Sequence, residues 1–158
     1  MPVLSYFSSI LFFIWLADVD TLFIHRYANG TIHSTRHLAS VAWVLYTSSG
    51  ELFAFGGICL GWATNNIVEY SALVEILTKA ISLNIRHLIV RLDSQLVVRQ
   101  LDNYYAIRNL ILLRLYMRVR LLEWQFDYIQ YQHIPRHLNT YADTLANYVL
   151  DRHLQHLN

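Results

Sequence analysis

A single cysteine, two prolines, five glycines and one lysine are all that 158 residues contain of those types. The lone Cys59 excludes an internal disulfide framework and any multi-cysteine zinc module, and it reads as a buried strand residue. Charged side chains make up only 15% of the chain, against a usual share of about 25%. Hydrophobic residues make up 55%. Disordered chains are apolar-poor and charge-rich, so disorder is excluded as the main state. No internal repeat or low-complexity tract interrupts the chain, and its length suits one domain rather than two independent cores.

The net charge is +1, so the molecule as a whole is not a polycation. The average conceals an asymmetry: local charges are −2 over residues 1–85, +5 over 86–120 and −2 over 121–158. Lys79 is the only lysine; every other basic residue is arginine, whose planar fork suits phosphate. The basic middle is a candidate nucleic-acid face, with pairing to carboxylates as the plainer alternative.

Residues 1–20 form an apolar extension in which Val3 to Ala17 carries only Ser5, Ser8 and Ser9 as polar breaks. Fifteen residues fall short of the roughly 20 that a helical bilayer span needs, so no stable membrane span is expected. Three readings stand open: a secretory signal, an apolar element packing on the domain, or translated upstream sequence. The expected compartment is nuclear or cytoplasmic, with a secretory signal over residues 1–17 as the alternative.

Thr21–Tyr27 is rich in β-formers and runs into Ala28-Asn29-Gly30, where Asn-Gly marks a turn. Val41–Tyr46, the polar turn Thr47-Ser48-Ser49-Gly50 and Glu51–Leu60 predict an antiparallel hairpin or meander, with Gly56-Gly57 marking a bulge or a close backbone approach. From Asn66 to Asn84 the period changes: Glu69, Ala72, Leu73, Ile76, Leu77 and Ala80 recur at helical steps, a stripe that begins with a carboxylate in the first turn. Arg86–Asp93 alternates as a strand, with Leu88, Val90 and Leu92 on one side. Ser94–Leu101 reads as a short helix capped by Asp93 or Ser94, and Ile107–Glu123 as a longer one. In the longer helix Arg108, Arg114, Arg118 and Arg120 either grip phosphates or form a polar face around Leu110, Leu113, Met117 and Leu121. Phe126–His133 closes the strands, Pro135 stops it, and Asn139–Leu150 forms a last helix. Strands followed by alternating helices and strands imply an α/β layer with helices covering a mixed sheet. The domain is expected over residues 21–150, with 151–158 as a tail.

Three acids occupy distinctive places: Glu69 near a helix start, Asp93 at a strand's carboxyl end, Asp143 in the first turn of the last helix. Taken singly, each has a bland role as a cap or a partner of the helix macrodipole. Together they can converge above a sheet, where clustered carboxylates require a cation.

Thr64-Asn65-Asn66-Ile67-Val68-Glu69-Tyr70, Asp93-Ser94-Gln95-Leu96-Val97, His133-Ile134-Pro135-Arg136 with Asn139, and Ala142-Asp143-Thr144-Leu145-Ala146-Asn147 resemble ribonuclease H. The likeness is strongest to the reverse-transcriptase-like domain of plant retroelement polyproteins and their domesticated relatives. The resemblance implies an α/β fold with a five-stranded mixed sheet, its first three strands antiparallel, flanked by helices. It also implies cleavage of the RNA strand of an RNA–DNA hybrid with two Mg²⁺ (or Mn²⁺), held by Glu69, Asp93, Asp143 and a first-strand aspartate. Asn29 stands where that aspartate belongs. An amide is neutral and does not bridge two cations as a carboxylate does, so hybrid cleavage is expected to be weak or lost. Asp18 and Asp20 precede Asn29 by about 30 Å of extended chain, too far to substitute.

On the same resemblance Thr64, Asn65 and Asn66 contact the nucleic-acid backbone and minor groove, where amides and hydroxyls can read the RNA 2′-OH. Ser94, Gln95 and Asn139 lie beside that groove, Arg136 either holds a phosphate or is simply solvated, and His137 is the candidate general acid. The plain alternative for the Asn pair is helix capping, and His133 is read as structural. Expected partners are RNA or an RNA–DNA hybrid. Two alternatives stand beside the impaired domain: an active Mg²⁺-dependent hybrid ribonuclease, and a non-catalytic module that binds a protein partner.

Overall fold

The computed structural model describes residues 21–29, 38–61, 63–138, 148, 151–152 and 155–156. The expected N-terminal extension, residues 30–37 and most of the expected last helix, with Asn139 and Asp143, lie outside the described residues. The strands are β1 (Thr21–Asn29), β2 (Leu38–Tyr46), β3 (Leu52–Gly61), β4 (His87–Leu92) and β5 (Tyr128–His133). The helices are α1 (Asn65–Ser82), α2 (Gln95–Leu101) and α3 (Leu110–Glu123), and a 3₁₀ turn follows at Arg136–Leu138.

The strands pair in the order β3-β2-β1-β4-β5. The first three are mutually antiparallel, while β4 runs parallel to β1 and β5 parallel to β4. The β2–β3 turn is closed by the Gly50 amide donating to the Thr47 carbonyl at 2.9 Å, with Gly50 at φ +85°. That left-handed conformation suits glycine, which has no Cβ to clash. Gly56 serves the close approach foreseen for the Gly-Gly pair: a Cβ there would lie 2.5 Å from the Trp43 indole across the strand pair. The register shifts fall elsewhere, between Ala39/Ser40 and Leu45/Tyr46.

The core forms where α1 meets the sheet. Leu73, Ile76, Leu77 and Ala80 pack with Val41, Trp43 and Leu45 of β2 and Leu88, Val90 and Leu92 of β4. The alternating burial of β4 matches its sequence pattern. α1 ends two residues earlier than its periodicity suggests, because Asn84 turns left-handed at φ +58°. The Ile85 and Asn84 amides then donate to Ala80 and Ile81 carbonyls, both at 3.0 Å, satisfying the helix end.

The side of α3 that packs on the core is set by the structure. Leu112, Leu115, Tyr116 and Leu122 pack on the core around the buried Val119, whereas Leu110, Leu113, Met117 and Leu121 are exposed. Leucines line both sides of this helix, so periodicity alone does not select between them. The helix also starts at Leu110 rather than Ile107, since Asn109 Oδ1 accepts from the Ile111 and Leu112 amides at 2.9 and 3.1 Å. Cys59 is half-buried rather than buried. No helix among the described residues is long and apolar enough to cross a membrane.

Candidate active site

α1 opens with Thr64 as its N-cap residue in extended conformation, and no side chain caps the helix. Asn65 and Asn66 are the first two helical residues, exposed and half-buried. The capping role that is the plain alternative for this pair is not seen among the described residues. The first-turn N–H groups of α1 also lack intrahelical acceptors, a setting that favours an anion.

Glu69 is the fifth residue of α1, so the expectation that it stands in the first turn is corrected: no acid lies there. A role in complementing the helix dipole loses its force with that position. Glu69 is 1% exposed, among the most deeply buried side chains described. A carboxylate this deep is costly to fold around unless its charge is compensated.

Asp93 directly follows β4 and is half-buried. Ser94 caps α2, its Oγ accepting from the Val97 amide at 3.3 Å. Of the two cap candidates Ser94 takes the role, and that bond occupies one of the hydroxyl's acceptor sites. Gln95 is exposed. The Ile134 amide donates to the Leu92 carbonyl at 2.8 Å, which carries the segment after β5 alongside the end of β4. Arg136 and His137, both exposed in the 3₁₀ turn, thus follow the strand end that bears Asp93. His133, the last residue of β5, is exposed as well.

Asn29 ends β1. In the parallel register Ile24 is level with Leu92. The β1–β4 ladder runs from the Leu22/Val90 pair to the Ile24/Leu92 pair, so Asn29 lies five residues past its last pair and that ladder does not itself bring Asn29 beside Asp93. Among the described residues, no three His, Cys, Asp or Glu side chains form a metal-binding group; Asp143 lies outside them. The donor chemistry of Glu69 and Asp93, two hard carboxylates, fits Mg²⁺ or Mn²⁺.

A polar network behind the site was not foreseen from sequence. Tyr70, adjacent to Glu69, donates its hydroxyl to Gln100 Oε1 on α2 at 2.8 Å. Arg120 donates to both Glu123 oxygens at 3.1 and 3.0 Å, and also to the Leu101 carbonyl and Asn103. Tyr131 donates to Glu123 at 2.7 Å. Burial raises the Tyr70 and Tyr131 phenols above their ordinary range, and the nearby Glu123 carboxylate adds to the shift at Tyr131. Arg120 therefore belongs to the scaffold rather than to a phosphate grip. The one available signal was the three-residue spacing of Arg120 and Glu123 on a helix. Arg86 likewise pairs with Asp127 at 3.0 Å.

The mixed sheet, with its first three strands antiparallel and helices packed on it, is an α/β domain of ribonuclease H type. The chain belongs to the reverse transcriptase-like family, which it matches over residues 27–149. It is 38% identical to ribonuclease HI of Halobacterium salinarum over 128 residues, covering 81% of this chain and 64% of that one. It is 41% identical over 92 residues to the bifunctional protein Rv2228c of Mycobacterium tuberculosis, covering 58% of this chain and 25% of that one. The chain thus spans less than two thirds of these relatives' lengths.

Among solved structures, the H. salinarum RNase H1 superposes with a TM-score of 0.77 at 36% identity, covering 84% of this chain and 97% of that one. The N-terminal RNase H domain of Rv2228c gives 0.77 at 32% identity, covering 87% and 97%. An LC11 RNase H1 solved in complex with an RNA/DNA hybrid gives 0.77 at 24% identity, covering 85% and 98%, a likeness of fold.

Proposed function

We propose that this chain is a ribonuclease H-like domain of plant retroelement descent that binds RNA–DNA hybrids and cleaves them weakly or not at all. The observation that carries this reading is Asn29 at the end of the first strand, where the motif calls for an aspartate, together with the retained and buried Glu69 of α1. The family match begins at Tyr27, which supports setting Asn29 against the family's first aspartate.

Binding rests on the uncapped start of α1. Thr64, Asn65 and Asn66 offer hydroxyl, amide and backbone N–H groups to a sugar–phosphate backbone, and the amides can read a 2′-OH as donor and acceptor. Ser94, Gln95, Arg136 and Asn139 extend this surface, and His137 is the side chain there able to carry a proton. Glu69, Asp93 and Asp143 would hold Mg²⁺ or Mn²⁺, which when bound supply activation of the attacking water and stabilisation of the leaving oxygen. Asn29 contributes no charge to that set, so affinity for the ions falls, and stabilisation of the developing charge falls with it.

Gel-shift titration with labelled RNA–DNA hybrid, RNA duplex and DNA duplex tests the binding. Hybrid should bind more tightly than DNA duplex, and absence of any shift at low salt refutes the reading.

A further inference from the structure

α3 is built as a helix with two apolar sides, and among the described residues only one of them is packed against the core. Its inner side packs on the core around Val119. On the outer side Leu110, Leu113, Met117, Leu121 and Trp124 recur at steps of three and four residues. Leu110 is 74% exposed, Met117 52% and Trp124, at the helix end, 81%. At 3.6 residues per turn these five fall within an arc of about 80° directly opposite the core face. A helix apolar on both sides is expected to be covered on both, and exposed apolar patches of this kind mark interaction surfaces.

Arg114 and Arg118 stand one turn apart along one edge of the stripe, exposed and with no hydrogen bond or ion pair among the described residues. The only acid on the helix, Glu123, is already held by Arg120 and Tyr131. The face is therefore apolar and purely cationic.

We propose that the outer face of α3 docks an amphipathic acidic helix of a partner protein, its apolar side filling the Leu110–Trp124 seam and its carboxylates meeting Arg114 and Arg118. Charge decides the occupant. A second copy of this chain would bring like-charged arginines together with no acid between them. Nucleic acid would use the arginines but gain little from five apolar side chains. An anionic bilayer also attracts a basic, apolar face, but two arginines fall short of the clusters of about four to eight cations that lipid-binding segments carry, whereas a helix with acids at four-residue spacing matches this pair. The seam, about 20 Å long, has the three-and-four spacing into which a helix packs. The inference is independent of the nucleic-acid reading.

The test uses the full chain and two synthetic helical peptides with identical leucine seams, one flanked by glutamates and the other by lysines. Fluorescence anisotropy should show the acidic peptide binding about tenfold more tightly than the basic one. Met117→Glu should abolish binding while leaving the thermal melt intact, since Met117 does not enter the core. The Arg114→Glu/Arg118→Glu pair should reverse the preference toward the basic peptide. Binding of neither peptide, equal binding of both, or a preference unchanged by the charge reversal overturns the proposal. So does Met117-dependent self-association in sedimentation, or Met117-dependent capture by phosphatidylserine vesicles without peptide binding.

Discussion

The Tyr70 hydroxyl donates to Gln100 Oε1 at 2.8 Å, joining α1 to α2 inside the core. Tyr70 follows Glu69 directly, and α2 starts two residues after Asp93, so the bond ties together the two helices next to the carboxylates. Tyr70→Phe leaves the buried Gln100 oxygen without this donor and should cost about 1–3 kcal/mol in urea unfolding. The double variant Tyr70→Phe/Gln100→Leu should cost clearly less than the two single changes added. Strict additivity would show that the bond does not couple the helices.

Gly56 accommodates the Trp43 indole, which fills the space a side chain would need. Gly56→Ala forces either the ring or the strand to move and should lower stability by about 1–3 kcal/mol. A melt unchanged from the parent would mean that the indole has another well-packed position.

Alkaline stability follows from the two buried phenols. Folding favours protonated Tyr70 and Tyr131, because burial raises both. Their contribution is fully present below the unfolded phenol value of about 10 and declines above it, where only the unfolded chain ionises. The urea midpoint should therefore drop between about pH 9 and about pH 11. Tyr70→Phe should make that drop shallower, and an identical slope would remove Tyr70 from the account.

Hybrid recognition should depend on the start of α1. Asn66→Ala should weaken binding to RNA–DNA hybrid by about 1 kcal/mol, the scale of one neutral hydrogen bond, with a smaller effect on DNA duplex. Arg136→Ala should weaken both alike and flatten the salt dependence by roughly one phosphate contact. Equal losses on hybrid and DNA for Asn66→Ala would take the 2′-OH out of the recognition.

Much of this architecture is legible in local sequence pattern. The helical stripe of α1, the alternation of Leu88, Val90 and Leu92, and the Ser94 cap each depend on neighbours a few residues away. What escapes depends on distant pairing. Trp43 against Gly56, Tyr70 against Gln100 and Arg120 against Leu101 unite different elements, and no periodicity encodes them. α3 fails for another reason: with leucines on both sides, its pattern carries no sign of which side faces inward. Thr64, Asn65 and Asn66 are legible as a motif, but whether a side chain caps the helix there is seen only in the structure.

The most direct test of the account is cleavage of a labelled RNA–DNA hybrid in Mg²⁺ and in Mn²⁺ by the parent chain, Asn29→Asp and Asn29→Asp/Asp93→Asn. The parent should bind the hybrid and leave it nearly intact, Asn29→Asp should cut it, and the added Asp93→Asn should abolish that cutting. Robust cleavage by the parent, or an Asn29→Asp variant that binds hybrid and ions yet does not cut, would contradict the claim that a single uncharged position silences this site.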